Sequence, residues 1–179
     1  MHSSLIVTLI GPDRPGLVRA VAACATKAGA NWVESRMAQL AGQFAGIVRL
    51  EIAPEQVTQL ETGLRSLETE GLRITVERGL EGHEAALQRV RLDLLGHDRS
   101  GIVQEITSVL VRHGVTIEGL ETGCERASMS GERMFRASAE LGVPAGTDLH
   151  FLQDDLEALA NELMVDLELH PESGASGSE

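Results

Sequence analysis

The sequence predicts an α+β protein made of two βαββαβ units in tandem, and three observations carry this prediction. One segment of the chain is repeated further along. Within each copy, apolar residues alternate where a strand is expected and recur at spacings of three and four where a helix is expected. Glycines separate these segments at the places where the chain has to turn.

The repeat begins at a turn that is flanked by glycines. The segment Gly11–Val18 aligns with Gly96–Val103, which lies 85 residues further along, and the same offset places Gly29 on Gly114. The match continues through a strand, a turn, a helix and the next turn. A repeat of this length indicates a duplicated domain.

The first half of each unit is predicted to be a strand followed by a helix. Short apolar runs at Leu5–Ile10 and Val90–Leu95 have the length of strands. Apolar residues then follow at helical spacing, at Leu17, Val18, Val21, Cys24, Ala25 and Ala28 in the first unit and at Ile102, Val103, Ile106, Val109 and Leu110 in the second. Gly29 and Gly114 come next, where a glycine in the left-handed conformation is expected to end the helix.

The second half of each unit is predicted to be a hairpin, a helix and a closing strand. In the first unit the hairpin strands span residues 31–40 and 43–52 around Ala41-Gly42, and the second unit is predicted to turn at Ser130-Gly131. Pro54 precedes the next helix, and Thr147 is predicted to cap its counterpart. The closing strands alternate through Leu72, Ile74 and Val76 in the first unit and through Val165, Leu167 and Leu169 in the second.

This order of elements is the ferredoxin-like arrangement, in which both helices cover one face of a four-stranded antiparallel sheet. We expect a first domain over residues 1–79, a linker over 80–87, a second domain over 88–170 and a disordered polar tail over 171–179. The two domains either share a continuous eight-stranded sheet or stack their sheet faces. Periodicity does not choose between these packings.

The composition excludes several classes of function. A net charge of −12, without any run of Lys or Arg, disfavours direct binding to nucleic acid or to anionic membranes. No stretch approaches the roughly 20 apolar residues of a membrane span, and the first residues do not have the pattern of a signal peptide. Cys24 and Cys124 show no CxxC spacing, which fits a reducing compartment with both thiols buried or idle. We therefore expect a cytoplasmic protein.

The turn over residues 11–16, Gly-Pro-Asp-Arg-Pro-Gly, is the candidate ligand site. It presents backbone N–H groups at the start of a helix, and its glycines allow a ligand to approach the chain. We expect a carboxylate to bind there with added charge from Arg14, while Asp13 binds an ammonium group. Asn31, at the start of the next strand, is expected to add an amide to the same site. The equivalent residues of the second unit are Asp98, Arg99, Gly101 and Thr116.

The same spacing also fits a purely structural turn. In that interpretation Asp13 and Asp98 cap the two helices, Pro15 lies in the first helical turn because of its fixed φ, and the glycines only make the bend. The duplication does not decide between the two interpretations, because structural turns are duplicated as well.

The turn and the residues that follow it resemble the ACT domain. The matching features are G-x-D-R-P-G-[IL]-V at the first strand-to-helix turn, Asn31 after Gly29, and then Glu34-Ser35-Arg36. ACT domains bind small ligands, usually amino acids, and regulate metabolism, and the likeness extends over both repeats. The resemblance implies two ligand sites, lined by Asp13, Gly16, Leu17 and Asn31 in the first unit and by Asp98, Gly101 and Ile102 in the second.

The chain is also similar to free-standing tandem ACT proteins without a DNA-binding domain, which repress transcription by contacting a transcriptional activator, with glycine as effector. This resemblance implies an amino-acid sensor whose candidate ligand is glycine and whose candidate partner is such an activator; pairing into a homodimer is left open. Ser100 and Thr116 depart from the first copy, so the second site need not bind the same ligand. The turn also occurs in ACT domains attached to enzymes such as formyltetrahydrofolate deformylase, so a regulatory subunit of an amino-acid or one-carbon enzyme is an alternative.

The sequence presents no pattern of a catalytic or metal site. The six histidines lack metal-ligand spacing, and there is no GxSxG motif or Walker loop. We therefore expect no enzyme activity, no metal and no cofactor. A second hypothesis is a non-sensing interaction module whose edge strands add to a partner's sheet. A third is an enzyme with an undetected site, for which His97 is the residue to test.

Overall fold

The structure is a computed structural model, which describes residues 2–79, 87–126 and 131–171. The chain divides into two compact units, residues 1–82 and 83–179. The first unit contains β1 (Ser3–Pro12), α1 (Leu17–Lys27), β2 (Asn31–Leu40), β3 (Gln43–Ile52), α2 (Val57–Ser66) and β4 (Arg73–Arg78). The second contains β5 (Leu87–His97), α3 (Ile102–Arg112), β6 (Thr116–Arg126), β7 (Arg133–Pro144), α4 (Leu149–Leu163) and β8 (Val165–Pro171). The predicted βαββαβ order is confirmed in both units.

Each unit has its own four-stranded antiparallel sheet, with strand order β2-β3-β1-β4 in the first and β6-β7-β5-β8 in the second. In the first sheet, β1 pairs with β3 from Ser3 opposite Ile52 to Pro12 opposite Gln43. β2 pairs with the other side of β3, so β1 and β2 run parallel with β3 between them. This is the ferredoxin-like topology that the sequence predicts.

Each core lies between one face of the sheet and the two helices. The predicted alternation places Val48, Leu50 and Ile52 of β3 fully inside the first core, opposite Leu60 and Leu64 of α2. The second core is built in the same way from Leu92, Leu94, Phe135, Leu141, Leu152 and Leu156 among others. Among the residues that the structure describes, no polar or charged residue is buried. Apolar burial is thus the main source of stability in both units.

The turns follow the sequence prediction except at one helix cap. Gly29 and Gly114 take positive φ values of 71° and 67° after their helices, and Gly42 does so at 80° in the first hairpin. Of the second predicted turn, Ser130 lies outside the described residues. Thr147 is not the cap of α4: the side chain of Asp148 accepts the hydrogen bond from the amide of His150 at 2.9 Å.

The predicted linker and tail fall mostly on residues that the structure does not describe, so the domain boundaries stay predictions. β5 begins one residue before the predicted second domain and β8 ends one residue after it, a difference within the ordinary uncertainty of element ends. Among the described helices, none has the length and hydropathy required to cross a bilayer.

The second strand of each unit, which lies at one edge of its sheet, carries a bulge that the sequence did not reveal. The register shifts between Trp32 and Glu34 in β2 and between Ile117 and Gly119 in β6. These positions are equivalent in the two copies. A bulge adds one residue to a strand and increases its twist, and bulges are conserved within families as features of the fold. The shared bulge therefore supports the duplication independently of the turn motif.

A side-chain pair links the two helices of the second unit. His113 caps the C-terminus of α3, and its Nε2 lies 2.9 Å from Oδ2 of Asp155 on α4. The ring is largely enclosed, with 17% of its side-chain surface exposed. Arg112 approaches the same carboxylate oxygen at 3.8 Å. The end of α3 is thereby tied to the middle of α4.

We expect Asp155→Ala to lower the free energy of unfolding by about 1 kcal/mol, because it removes a hydrogen-bond partner from an enclosed polar ring. Chemical denaturation of the full chain measures this. Asp154→Ala is the matched control, since Asp154 is adjacent, exposed and without a side-chain partner among the described residues, and it is expected to change stability by less than about 0.5 kcal/mol. Equal losses in the two variants would contradict a specific role for the pair.

Candidate functional site

The turn between β1 and α1 is closed by the β2–β3 hairpin. The amide of Asp13 donates to the carbonyl oxygen of Gly42, with an N···O distance of 2.9 Å. Gly16 then takes the left-handed conformation at φ 95° and occupies the N-cap position of α1. Its carbonyl accepts the first helical hydrogen bond, from the amide of Ala20 at 2.9 Å. A left-handed residue at this place favours glycine, because a Cβ would be strained there.

The start of α1 is open. Within residues 2–79, no side chain caps this helix, and a methyl group built on Gly16 would meet no atom within 4 Å. Leu17, by contrast, is 3% exposed and anchors the first turn in the core. The first amides of a helix have no partner inside the helix and carry its positive dipole end, so this turn can bind a carboxylate.

The structural interpretation of the aspartates is wrong. The N-cap residues are Gly16 and Gly101, and neither helix receives a hydrogen bond from a capping side chain among the described residues. Pro15 lies before the helix, which begins at Leu17. The carboxylate of Asp13 is exposed and has no ion pair or hydrogen bond in the described part of the chain. It is thus available to an ammonium group, as the ligand-binding interpretation requires.

The two glycines that precede the turns serve packing and not ligand access. Gly11 is buried, and a methyl group there would lie 2.7 Å from the carbonyl oxygen of Gly71. Its equivalent Gly96 faces Val165: an added methyl would overlap Val165 Cγ1 and lie 2.8 Å from Val165 Cβ. Of the glycines in the first turn, only Gly16 is exposed and close to where a ligand would bind.

Asn31 does not join the turn within its own domain, contrary to the prediction. It pairs with Glu51, which pairs with Ser4 at the beginning of β1, whereas the turn follows Pro12 at the other end. Ser4 and Pro12 lie about 26 Å apart at about 3.3 Å per residue. The reason is the topology: α1 carries the chain back along the sheet before β2 begins. Asn31 is exposed at that far end.

Thr116 is placed in the same way in the second unit. It pairs with Gly142, which lies opposite Arg89 near the beginning of β5. His97, directly before the second turn, pairs with Met134 at the other end of the sheet. Each unit therefore brings together the charged residues, the N-cap glycine and the first helical residue. It does not bring the residue at the start of the second strand to them.

The second turn has the same backbone but different side-chain partners. Its Asp98 amide donates to the carbonyl oxygen of Arg133 at 3.0 Å, and Gly101 has φ 91°. The Asp98 carboxylate lies 3.3 Å from Nε of Arg133. Arg99 donates from Nη2 to Oε1 of Glu105 at 2.7 Å. Both charged residues proposed for this site are thus paired within the chain.

Sequence reasoning missed Glu105 and Arg133 at this turn. A signal for Glu105 was present, since it is an acidic residue in the first turn of α3, and the 85-residue offset aligns it with Ala20. Arg133 gives no such signal. It follows a hairpin that is longer than the one in the first unit, so only the structure places it opposite Asp98.

A perturbed carboxylate lies elsewhere, in the middle of β5 on the sheet face opposite the helices. A hydrogen bond from Arg91, 2.9 Å from Nε to Oδ2, lowers the pKa of Asp93; burial opposes this change and a hydrogen bond with Ser138 adds to it. A lowered pKa means that this group favours the folded state above the pKa of the unfolded chain and that this contribution is lost as the pH falls. With 38% of its side chain exposed, the contribution is small.

The remaining sequence candidates do not form a reactive site. Cys24 is partly buried, and its Sγ donates to the carbonyl oxygen of Gly63 at 3.4 Å, whereas Cys124 is exposed on β6. The sequence predicted that each thiol is buried or idle, and Cys124 is exposed and not in a disulfide. In the described part of the chain, the carboxylate neighbour of His97 is distant: Oε2 of Glu132 lies 3.9 Å from its Nδ1. In residues 2–79, 87–126 and 131–171, no group of three potential ligands is placed to hold a metal ion.

The fold and the turn define a class of protein. Residues 3–77 match the family model of the ACT domain. The second unit repeats the topology and the turn of the first. The first unit therefore matches the ACT domain, and the chain carries two ferredoxin-like units that share its topology and its turn.

Particular relatives cover nearly the whole chain. It is 24% identical over 163 residues to the glycine cleavage system transcriptional repressor of Escherichia coli (strain K12), a match that covers 89% of this chain and 85% of that protein. The crystal structure of an unknown protein from Galdieria sulphuraria has a TM-score of 0.86 at 28% identity and covers 97% of this chain and 100% of that one. A proposed glycine cleavage system transcriptional repressor of known structure has a TM-score of 0.70 at 24% identity, covers 95% of this chain and 97% of that one, and supports the fold.

We expect Gly96→Ala to lower the free energy of unfolding by about 1 to 3 kcal/mol, the usual loss when a methyl group is forced into a filled space. The control is Gly123→Ala, also in a strand of the second unit, where a methyl group would meet no atom within 4 Å. This control is expected to be neutral or stabilising by up to about 1 kcal/mol. Thermal and chemical denaturation compare the two. A Gly96→Ala protein as stable as the control would refute the packing role.

Proposed function

We propose that this protein senses a small amino acid at the first turn and regulates a partner protein in response. The observation that carries the proposal is the open start of α1, where the N-cap is an exposed glycine and no side chain of residues 2–79 caps the helix. The ligand carboxylate binds the amides that follow Gly16. The ligand ammonium group binds the carboxylate of Asp13.

The site favours a small ligand such as glycine. Both ends of an amino acid are recognised within one turn; the first helical residue, Leu17, faces the core, and Val18 beside it is exposed. Leu17 therefore offers no apolar contact to a large ligand side chain. The names of the relatives, which are glycine cleavage system transcriptional repressors, support glycine as the first ligand to test.

The partner is proposed to be a protein and not nucleic acid. A net charge of −12 opposes the neutralisation of phosphates on which most affinity for DNA depends. The candidate partner is a transcriptional activator. A metabolic enzyme of amino-acid or one-carbon metabolism is the alternative partner.

Asn31 has no role in this proposal within its own unit, and a second copy of the chain is one means of bringing an Asn31 to the turn. Within its own domain it lies at the far end of the sheet from Asp13. In a homodimer with antiparallel neighbouring domains, Asn31 of one copy is brought to the turn of the other. A ligand bound across such an interface changes the association of the copies only by its differential affinity for the paired and separate forms.

The first test is isothermal titration calorimetry of the full chain against glycine, serine, alanine and larger amino acids. We expect binding of the small ones, and a loss of affinity of about tenfold or more in Asp13→Ala, because a hydrogen bond to a charged group is worth about 1.5 to 3 kcal/mol. Stability is expected to be unchanged, since the Asp13 carboxylate has no partner among the described residues.

Glu55→Ala serves as the control for this test, because it removes an exposed carboxylate from the same unit away from the turn. It is expected to bind with the affinity of the unsubstituted protein. If no amino acid binds, the sensing role is wrong. The protein could then still capture a transcriptional activator or a metabolic enzyme. If the captured amount does not change when amino acids are added, the non-sensing interaction module is the correct function.

A further inference from the structure

The second turn contains a carboxylate of its own. Glu105 lies in the first turn of α3, and its side chain folds back toward the N-cap, where Oε1 lies 3.5 Å from the place of a methyl group on Gly101. The same oxygen accepts the hydrogen bond from Arg99 at 2.7 Å. An acidic group at this end of a helix is favoured by the helix dipole. Glu105 thus occupies Arg99 and places a negative charge beside the open helix start, where it repels a ligand carboxylate.

The other charge of the second turn is also satisfied within the chain. The carboxylate of Asp98, which would bind an ammonium group, lies 3.3 Å from Nε of Arg133. The pair Arg99–Glu105 and the pair Asp98–Arg133 together resemble a bound zwitterion: one carboxylate at the helix start and one cation at the aspartate.

The first turn lacks both of these internal partners. The 85-residue offset places Ala20 at the position of Glu105. Gly42 occupies the position of Arg133, because each accepts the same main-chain hydrogen bond, from Asp13 and Asp98 respectively. Neither alanine nor glycine has a polar or charged side chain that could pair with a charge. The two turns share a backbone, but the side chains of Glu105 and Arg133 have no charged counterpart at the equivalent positions of the first turn.

We propose that Glu105 and Arg133 close the second turn to amino acids, so that the chain binds one ligand, in its first domain. This inference rests on the proposed function, and it adds the number and place of the ligands. A carboxylate attached to the same helix has an effective concentration of the order of millimolar or above. A free amino acid at micromolar concentration therefore competes poorly for the second turn.

Exchanging the residues between the two turns tests the proposal by calorimetry with glycine on the full chain. The unsubstituted protein is expected to bind one equivalent. Ala20→Glu, which transfers the internal carboxylate to the first turn, is expected to weaken binding at least tenfold. Ala23→Glu, the same change at an exposed position of the same helix, is expected to bind as the unsubstituted protein does. Circular dichroism and thermal denaturation verify that both variants fold.

The opposite exchange opens the second turn. Glu105→Ala combined with Arg133→Ala is expected to add a second binding event, whereas Asp154→Ala, which removes an exposed carboxylate from α4, adds none. Two equivalents in the unsubstituted protein, full affinity in Ala20→Glu, or no second event in the double variant would each overturn the proposal.

A measurement with acetate separates this inference from the proposed function, because it requires no binding of an amino acid. Acetate carries the carboxylate alone, and amide chemical shifts report where it binds. In the unsubstituted protein we expect acetate to shift the amides that follow Gly16 and not those that follow Gly101. In Glu105→Ala both sets are expected to shift. Equal shifts at both turns of the unsubstituted protein would show that Glu105 does not close the second turn, whatever the outcome with glycine.

Discussion

The placement of every candidate residue depends on one constraint, the antiparallel strand that runs between two parallel ones. Because β3 separates β1 from β2, the chain has to leave the end of β1, return along α1 and start β2 beside the beginning of β1. The start of the helix and the start of the second strand therefore lie at opposite ends of the sheet. The turn with its exposed amides is a site of one end only, and residues at the other end of the same sheet do not contact a ligand bound there.

Much of the fold could be predicted from the sequence, because burial imposes the periodicity. The alternation through Val48, Leu50 and Ile52 and the spacing of Leu60 and Leu64 each reflect one buried face. What could not be predicted depends on geometry between elements. The sequence does not show that Asn31 lies at the opposite end of the sheet from Asp13, because this depends on how α1 runs back along the sheet. The cap of α4 differs from the prediction by one residue, Asp148 instead of Thr147, since both residue types cap helices well.

The candidate site shows the same division between local and non-local information. The glycine at the N-cap and the buried residue after it are local features that both copies share, although the sequence pattern also fitted Asp13 and Asp98 as the caps. The charges that surround the second turn do not follow from it, because Arg133 reaches Asp98 from a different hairpin. Duplication preserves the backbone of a turn, which is set by glycine and by hydrophobic anchoring. It leaves the side chains around the turn free to diverge, and these decide what binds.

The number of turns that bind ligand in each chain determines how steeply binding can depend on ligand concentration. If one turn per chain binds, a single chain responds to its ligand along a simple hyperbola, because cooperativity needs at least two coupled sites. A steeper response then has to come from the association of chains or from the partner. Moving a two-state equilibrium from 1:99 to 99:1 requires about a 10⁴-fold preference for one state. A turn that recognises only the two charged ends of a small zwitterion achieves such a preference most readily when the partner, or a second copy of the chain, contributes contacts that exist in one state only.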